Sequence, residues 1–186
     1  MKKKIIIFGG SFNPIHIAHI KYAMLLSKHA DEVWLMPTKN HVFRKELIDF
    51  NHRFKMVQLA CKGKSKLVPS NFELNLESNK TYDVLTKLQK EYDYSFQFAV
   101  GLDCANEIQS KWYKGQELID NFSFFVLARP GSFYEKDAWF LKYPHVFIET
   151  PIAKFNISSS EIRTNLNEKL LNEIVYDYII RNNLYG

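Results

Sequence analysis

Apolar positions along the chain fall into short runs separated by stretches of helical spacing. Ile5 to Phe8 is an unbroken apolar run followed at once by Gly9 and Gly10, and it reads as a buried strand. From His16 to Lys28 the apolar residues Ile17, Ile20, Met24 and Leu25 recur at helical intervals. Asn13 and Pro14 supply an N-cap and a first helical residue for that segment. "EVWLM", Glu32 to Met36, is a second strand that Pro37 ends. The pattern then predicts a helix from about Asn51 to Cys61, with Phe54, Val57 and Leu59 on overlapping turns, a short strand in "KLVPS" and an amphipathic helix from Thr81 to Tyr92. Strands follow in "SFQFAV", "FSFFVLA" and "HVFIE", and helices in "ISSSEIRTNL" and "NEIVYDYIIRNNLYG".

Strands alternating with helices predict an α/β fold: a Rossmann-like, doubly wound parallel sheet with helices on both faces, built as one domain over residues 1–186. In such sheets ligands bind beyond the carboxyl ends of the strands. Gly9 to Asn13, directly after the first strand, falls there.

Composition narrows the partners. The chain is 46% apolar and 24% charged, and none of its apolar runs approaches the roughly 18 residues of a membrane span, so no membrane partner is expected. "MKKKIIIFGG" has the basic opening of a secretory signal, but its apolar run is too short and a glycine pair follows. Cys61 and Cys104 form no metal or redox spacing, which favours a reducing, cytoplasmic setting. The formal charge of +5 comes from scattered lysines. Basic and aromatic residues do not interleave on a strand, so nucleic acid is not an expected partner. A homo-oligomer is left open.

"GGSFNPIHIAH", Gly9 to His19, carries the first chemistry. Gly9 and Gly10 let backbone approach a ligand, and a helix starting at Pro14 turns free N–H groups toward the crevice. His16 and His19 then share a face beside that helix start, a phosphate grip. The bland readings are a common strand-end turn and a solvated histidine pair; half a metal site is disfavoured because no third ligand accompanies it. "ISSSEIR", Ile157 to Arg163, carries the second. Ser158 with Glu161 forms a capping box, which by itself means only a helix start, but Arg163 adds a guanidinium fork suited to phosphate. Two anion-binding helix starts point to a polyphosphate.

These two segments resemble the nucleotidyltransferase superfamily that carries "GxFxPxHxGH" early and "ISSTxIR" late. Within it the chain most resembles the nicotinate or nicotinamide mononucleotide adenylyltransferases of NAD synthesis. "HRFKMVQLA", "TYDVLTKL", "GLDCANEI", the Trp112 region, "ARPG" and the tail "YIIRNNLYG" match in order. The resemblance implies transfer of AMP from ATP to a pyridine mononucleotide, with pyrophosphate released and Mg²⁺ accompanying ATP without a dedicated carboxylate cage. It implies that His16, His19 and Arg163 act in catalysis. It also implies that Gly10, Ser11, Phe12, Ser159, Ser160 and Lys45, or its neighbour Arg44, bind ATP, and that Thr81, Tyr82, Gly101, Asp103 and Trp112 bind the mononucleotide. Without the resemblance, a tryptophan reads as core and an aspartate after a strand as a cap.

The chain departs from the family pattern in three places. Ala18 stands where the family commonly has glycine, Ser160 where it often has threonine, and "PTKNHVFRKELIDF" lacks the "PPHK" of many nicotinate enzymes. Pantetheine-phosphate adenylyltransferases and small cytidylyltransferases share the first motif, but the Trp112 segment, "SSEIR" and the "YIIRNNLYG" tail match the pyridine-nucleotide branch better. "HIAH" also resembles the "HIGH" element of class I aminoacyl-tRNA synthetases, but the chain is too short and has no "KMSKS"-like loop. A nucleotide-binding module without activity predicts loss of a histidine or of Arg163, and all three are present.

Overall fold

Alternation along the first strand decides what each face of the sheet receives: Ile6 and Phe8 point to one side, Ile5 and Ile7 to the other. The computed structural model describes residues 1–40, 47–128, 132–150 and 157–186. Its sheet has six parallel strands, β1 (Lys4–Gly10), β2 (Glu32–Pro37), β3 (Leu67–Pro69), β4 (Ser95–Gly101), β5 (Ser123–Ala128) and β6 (Val146–Glu149), in the order β3-β2-β1-β4-β5-β6. The order reverses between β1 and β4, which places the switch point at the end of the glycine-bearing strand.

One face packs against α1 (Ile17–Leu26), α2 (Phe50–Cys61), α6 (Ser159–Thr164) and α7 (Glu173–Arg181), and the other against α3 (Thr81–Glu91), α4 (Leu102–Lys111) and α5 (Gly115–Asn121). Burying an Ile of the central strand, such as Ile5, Ile6 or Ile7, each fully enclosed, contributes about 1.5–3 kcal/mol. The expected doubly wound sheet is therefore present, with helices on both faces. Among the described residues no helix is long and apolar enough to cross a membrane.

Three readings need correction. On α1 the fully buried residues are Ala18, Ala23 and Leu26, Ile17 and Ile20 pack half-buried against the same core, and Met24 is exposed, because small side chains let the helix sit close to the sheet. On α2 the buried set is Phe50, Arg53, Met56, Val57, Ala60 and Cys61, while Phe54 and Leu59 are half-buried. Finally, α4 and α5 were not predicted. They follow one another closely because Gly115 lies against α4, where a Cβ would stand 2.0 Å from the Ile108 carbonyl oxygen.

Candidate active site

At the end of β1 the chain turns back over itself. A Cβ on Gly10 would lie 3.2 Å from the Phe12 ring, so glycine lets the ring fold over this position without being pushed aside by a few tenths of an ångström. Phe12 adopts φ +45° and is 1% exposed. A left-handed bulky residue costs about 1–3 kcal/mol, which burial of the ring, about 1.5–3 kcal/mol, offsets. The ring meets Phe8 edge-on at 5.8 Å and His19 at 5.1 Å, and so steadies the imidazole from the core side.

The helix does not start at Pro14. His16 is its N-cap and Ile17 its first residue, so the expected Asn13 cap is corrected. The physical reason lies in the carbonyls that a helix from Pro14 would need. The Asn13 carbonyl accepts from Arg163 at 2.8 Å and the Pro14 carbonyl from the Ser159 hydroxyl at 3.0 Å. His16 and His19 nevertheless converge, with ring centroids 3.7 Å apart and planes within 28° of parallel. Nδ1 of His19 accepts the His16 backbone N–H at 3.2 Å, which leaves the ring proton on Nε2, the distal nitrogen.

From the other motif, Ser158 caps α6, its hydroxyl accepting the Glu161 N–H at 3.1 Å as the serine–glutamate spacing predicts. Arg163, one turn on, donates to Asn13 and, at 3.1 Å, to the Ser160 hydroxyl, committing two of its five donors and fixing the guanidinium. Together the two segments enclose a cavity of about 240 Å³ whose walls include Ser11, Phe12, His16, His19, Ser159, Ser160 and Arg163. Tyr22 and Leu47 also line it, and neither stood out in the sequence. Among the described lining residues there is no carboxylate; hydroxyls, imidazoles and a guanidinium form a donor set suited to an anion.

Supports behind the cavity were also missed. Tyr185 donates its hydroxyl to Asn13 Oδ1 at 2.8 Å, and burial pushes its pKa upward, so it stays protonated. Buried Arg53 and Glu73 hold the ends of β1 and β2. Desolvation raises the Glu73 pKa, while bonds from Thr38 and the Lys39 N–H act against that rise. The one sequence signal for Arg53 was its place in the stripe it forms with Met56, Val57 and Ala60.

The remaining predicted residues lie elsewhere. Gly101 ends β4, and the Phe8–Ala99 register carried onward sets it level with Gly10 across the switch point. Asp103 is exposed in the first turn of α4, and Trp112 caps the other end of that helix, packed against the second core face. Thr81 and Tyr82 open α3; the Tyr82 ring stands edge-on to Tyr113 at 6.4 Å, with Lys114 Nζ 4.5 Å from its centre. None of these five lines the histidine cavity. Lys45 and its alternative Arg44 lie outside the described residues.

Comparison with known proteins addresses the family and the fold. The cytidylyltransferase-like family model matches residues 7–165. A probable nicotinate-nucleotide adenylyltransferase of Acholeplasma laidlawii is 35% identical, over 97% of this chain and 97% of its own. One of Streptococcus mutans is 35% identical over 99% of this chain and 89% of its own. The solved Plasmodium falciparum nicotinic acid mononucleotide adenylyltransferase complexed with NaAD is 32% identical and superposes with a TM-score of 0.81, covering 98% of this chain and 97% of its own. The same enzyme complexed with APC superposes with a TM-score of 0.79 at the same identity and coverage.

Proposed function

The chain belongs to the nicotinate-nucleotide adenylyltransferases of the cytidylyltransferase-like family, and from that membership we propose that the cavity between the β1–α1 turn and α6 takes the triphosphate of ATP. The reaction is transfer of AMP from ATP to nicotinate mononucleotide, a step of NAD synthesis. A phosphate oxygen of the mononucleotide attacks the α-phosphorus. The bond from that phosphorus to the bridging oxygen of the β-phosphate breaks, and pyrophosphate leaves. The nucleophile is already an anion, so the protein's work is to bring two anions together and absorb the charge that builds between them.

His19, with its proton on the distal nitrogen, donates to a phosphate oxygen, and His16 stacked behind it holds the ring in place. Arg163 offers a pinned guanidinium, Ser159 and Ser160 offer hydroxyls, and Gly10, Ser11 and Phe12 bring backbone to the phosphates. Lys45 or Arg44 adds a cation from the connection after β2. The mononucleotide lies on the other side of the switch point, toward Gly101, Asp103, Thr81, Tyr82 and Trp112. Mg²⁺ bound to ATP would supply neutralisation of phosphate charge, and the cavity's hydroxyls, imidazoles and guanidinium would hold the phosphates rather than the ion.

The observation that carries this reading is the joining of two polar segments, roughly 150 residues apart, around a stacked histidine pair. Pyrophosphate release from ATP and Mg²⁺ with either nicotinate or nicotinamide mononucleotide tests it. The expected result is dinucleotide product with kcat/KM higher for the nicotinate form. No product from either sinks the assignment of substrate and makes pantetheine phosphate the next acceptor to try.

A further inference from the structure

Arg53 is 1% exposed on the inner stripe of α2, where an aliphatic side chain would be ordinary. Its guanidinium donates to four backbone carbonyls: Ser11 at 3.0 Å, Thr38 at 2.7 Å, Lys39 at 3.2 Å and Ile48 at 3.0 Å. Glu73 grips the same Thr38–Lys39 pair from the opposite side, accepting the Thr38 hydroxyl at 2.7 Å and the Lys39 N–H at 2.8 Å. The Thr38 N–H in turn donates to the Gly10 carbonyl at 3.0 Å. One planar fork therefore ties the turn after β1, the end of β2 and the residues just before α2. Burying a guanidinium is a poor route to stability, because a well-packed apolar side chain of similar volume does as well or better. What the fork supplies, and an aliphatic chain cannot, is a fixed spacing among three segments.

Resting on the reading of the cavity as the ATP site, we infer that Arg53 is a positioning residue for adenylyl transfer. It acts through the Ser11, Thr38 and Lys39 carbonyls to set the distance between the β1–α1 turn and the end of β2, and with it the shape of the triphosphate side of the cavity. Glu73 completes the grip. Neither side chain touches substrate: Arg53 holds the backbone of Ser11, which lines the cavity, and Glu73 holds the Thr38–Lys39 pair to which the same guanidinium is tied.

Steady-state kinetics per folded molecule test this in Arg53→Lys and Glu73→Gln, with Met56→Ala as a control for destabilisation on the same buried stripe, Met56 being 0% exposed. Arg53→Lys keeps the charge and loses the fork. It should lower kcat/KM for ATP about 10- to 100-fold, through a raised KM and a lowered kcat together, with KM for the mononucleotide moving less than about threefold. Glu73→Gln should shift the same parameters in the same direction, and it decides the matter if Arg53→Lys does not fold. Met56→Ala should lower Tm and leave KM for ATP alone. Wild-type kinetics for ATP in the folded variants, or an equal rise of KM in Met56→Ala, overturns the role. Wild-type turnover in the same assay keeps the two readings apart. A silent wild type sinks adenylyl transfer, and loss or retention in Arg53→Lys of the Tm rise on adding ATP still decides for or against positioning.

Discussion

The two faces of the sheet bury apolar side chains alike and differ in what else they hold. The buried residues of α3, α4 and α5 are all apolar or glycine: Val84, Leu85, Leu88, Leu102, Ala105, Ile108, Gly115, Leu118 and Ile119. On the opposite face α2 buries Arg53, His52 Nδ1 meets the Tyr178 hydroxyl at 2.8 Å between α2 and α7, and Tyr185 reaches Asn13. The bonds of Arg53, Tyr185 and Arg163 end on the turns at the carboxyl rim of the sheet. One face is a stabilising floor; the other is also a frame that sets loop geometry. Damage to the first should appear in Tm, and damage to the second in kinetics.

The sharpest contrast comes from His19→Ala, which should cut kcat by about 10²–10³ while circular dichroism and Tm stay near wild type; near-normal turnover would end the phosphate-grip role. Leu118→Ala, on the apolar face at 0% exposure, should cost about 2–5 kcal/mol by denaturant titration, with kcat of the folded fraction within about twofold. A large kinetic defect there would break the division between faces.

A pH dependence belongs to the frame side. Burial pushes the Cys61 thiol up from its ordinary 9.0 to about 11. Between those values the unfolded chain loses this proton and the folded chain keeps it. The contribution is therefore full below pH 9.0 and is lost as pH rises through about 11, amounting to about 2–3 kcal/mol. Thermal melts over that window should show a shallower decline in Cys61→Ala. The smallest effect expected is from Tyr185→Phe, which removes one hydroxyl bond. Stability should fall by about 0.5–1.5 kcal/mol and KM for ATP should rise a few-fold, read by calorimetry and kinetics together.

All six strands were legible because a strand covered on both faces reads as a continuous apolar run bounded by glycine or proline. The histidine pair and the serine–arginine motif were legible because each is local. Two helices were not: α4 buries only Leu102, Ala105 and Ile108 between Gly101 and Trp112, and α5 starts from Lys114 in a left-handed conformation, so neither carries a side-chain cap bond. On α1 the spacing found Ile17 and Ile20, which pack against the core, but missed Ala18 and Ala23 at the sheet and included the exposed Met24, because alanines carry little hydrophobic weight. Arg53 and Tyr185 were hidden for a different reason. Their partners, a Ser11 carbonyl and an Asn13 side chain, lie 42 and 172 residues away, and a bond to backbone or to a lone amide leaves no spacing to find.

That separation also has a meaning for biosynthesis. Asn13 leaves the ribosome 150 residues ahead of Arg163 and 172 ahead of Tyr185. Through most of translation the nascent chain carries its histidine pair without the side chains that clamp the turn around it. The turn that carries the histidines is therefore clamped only once α6 and the chain beyond α7 have been made.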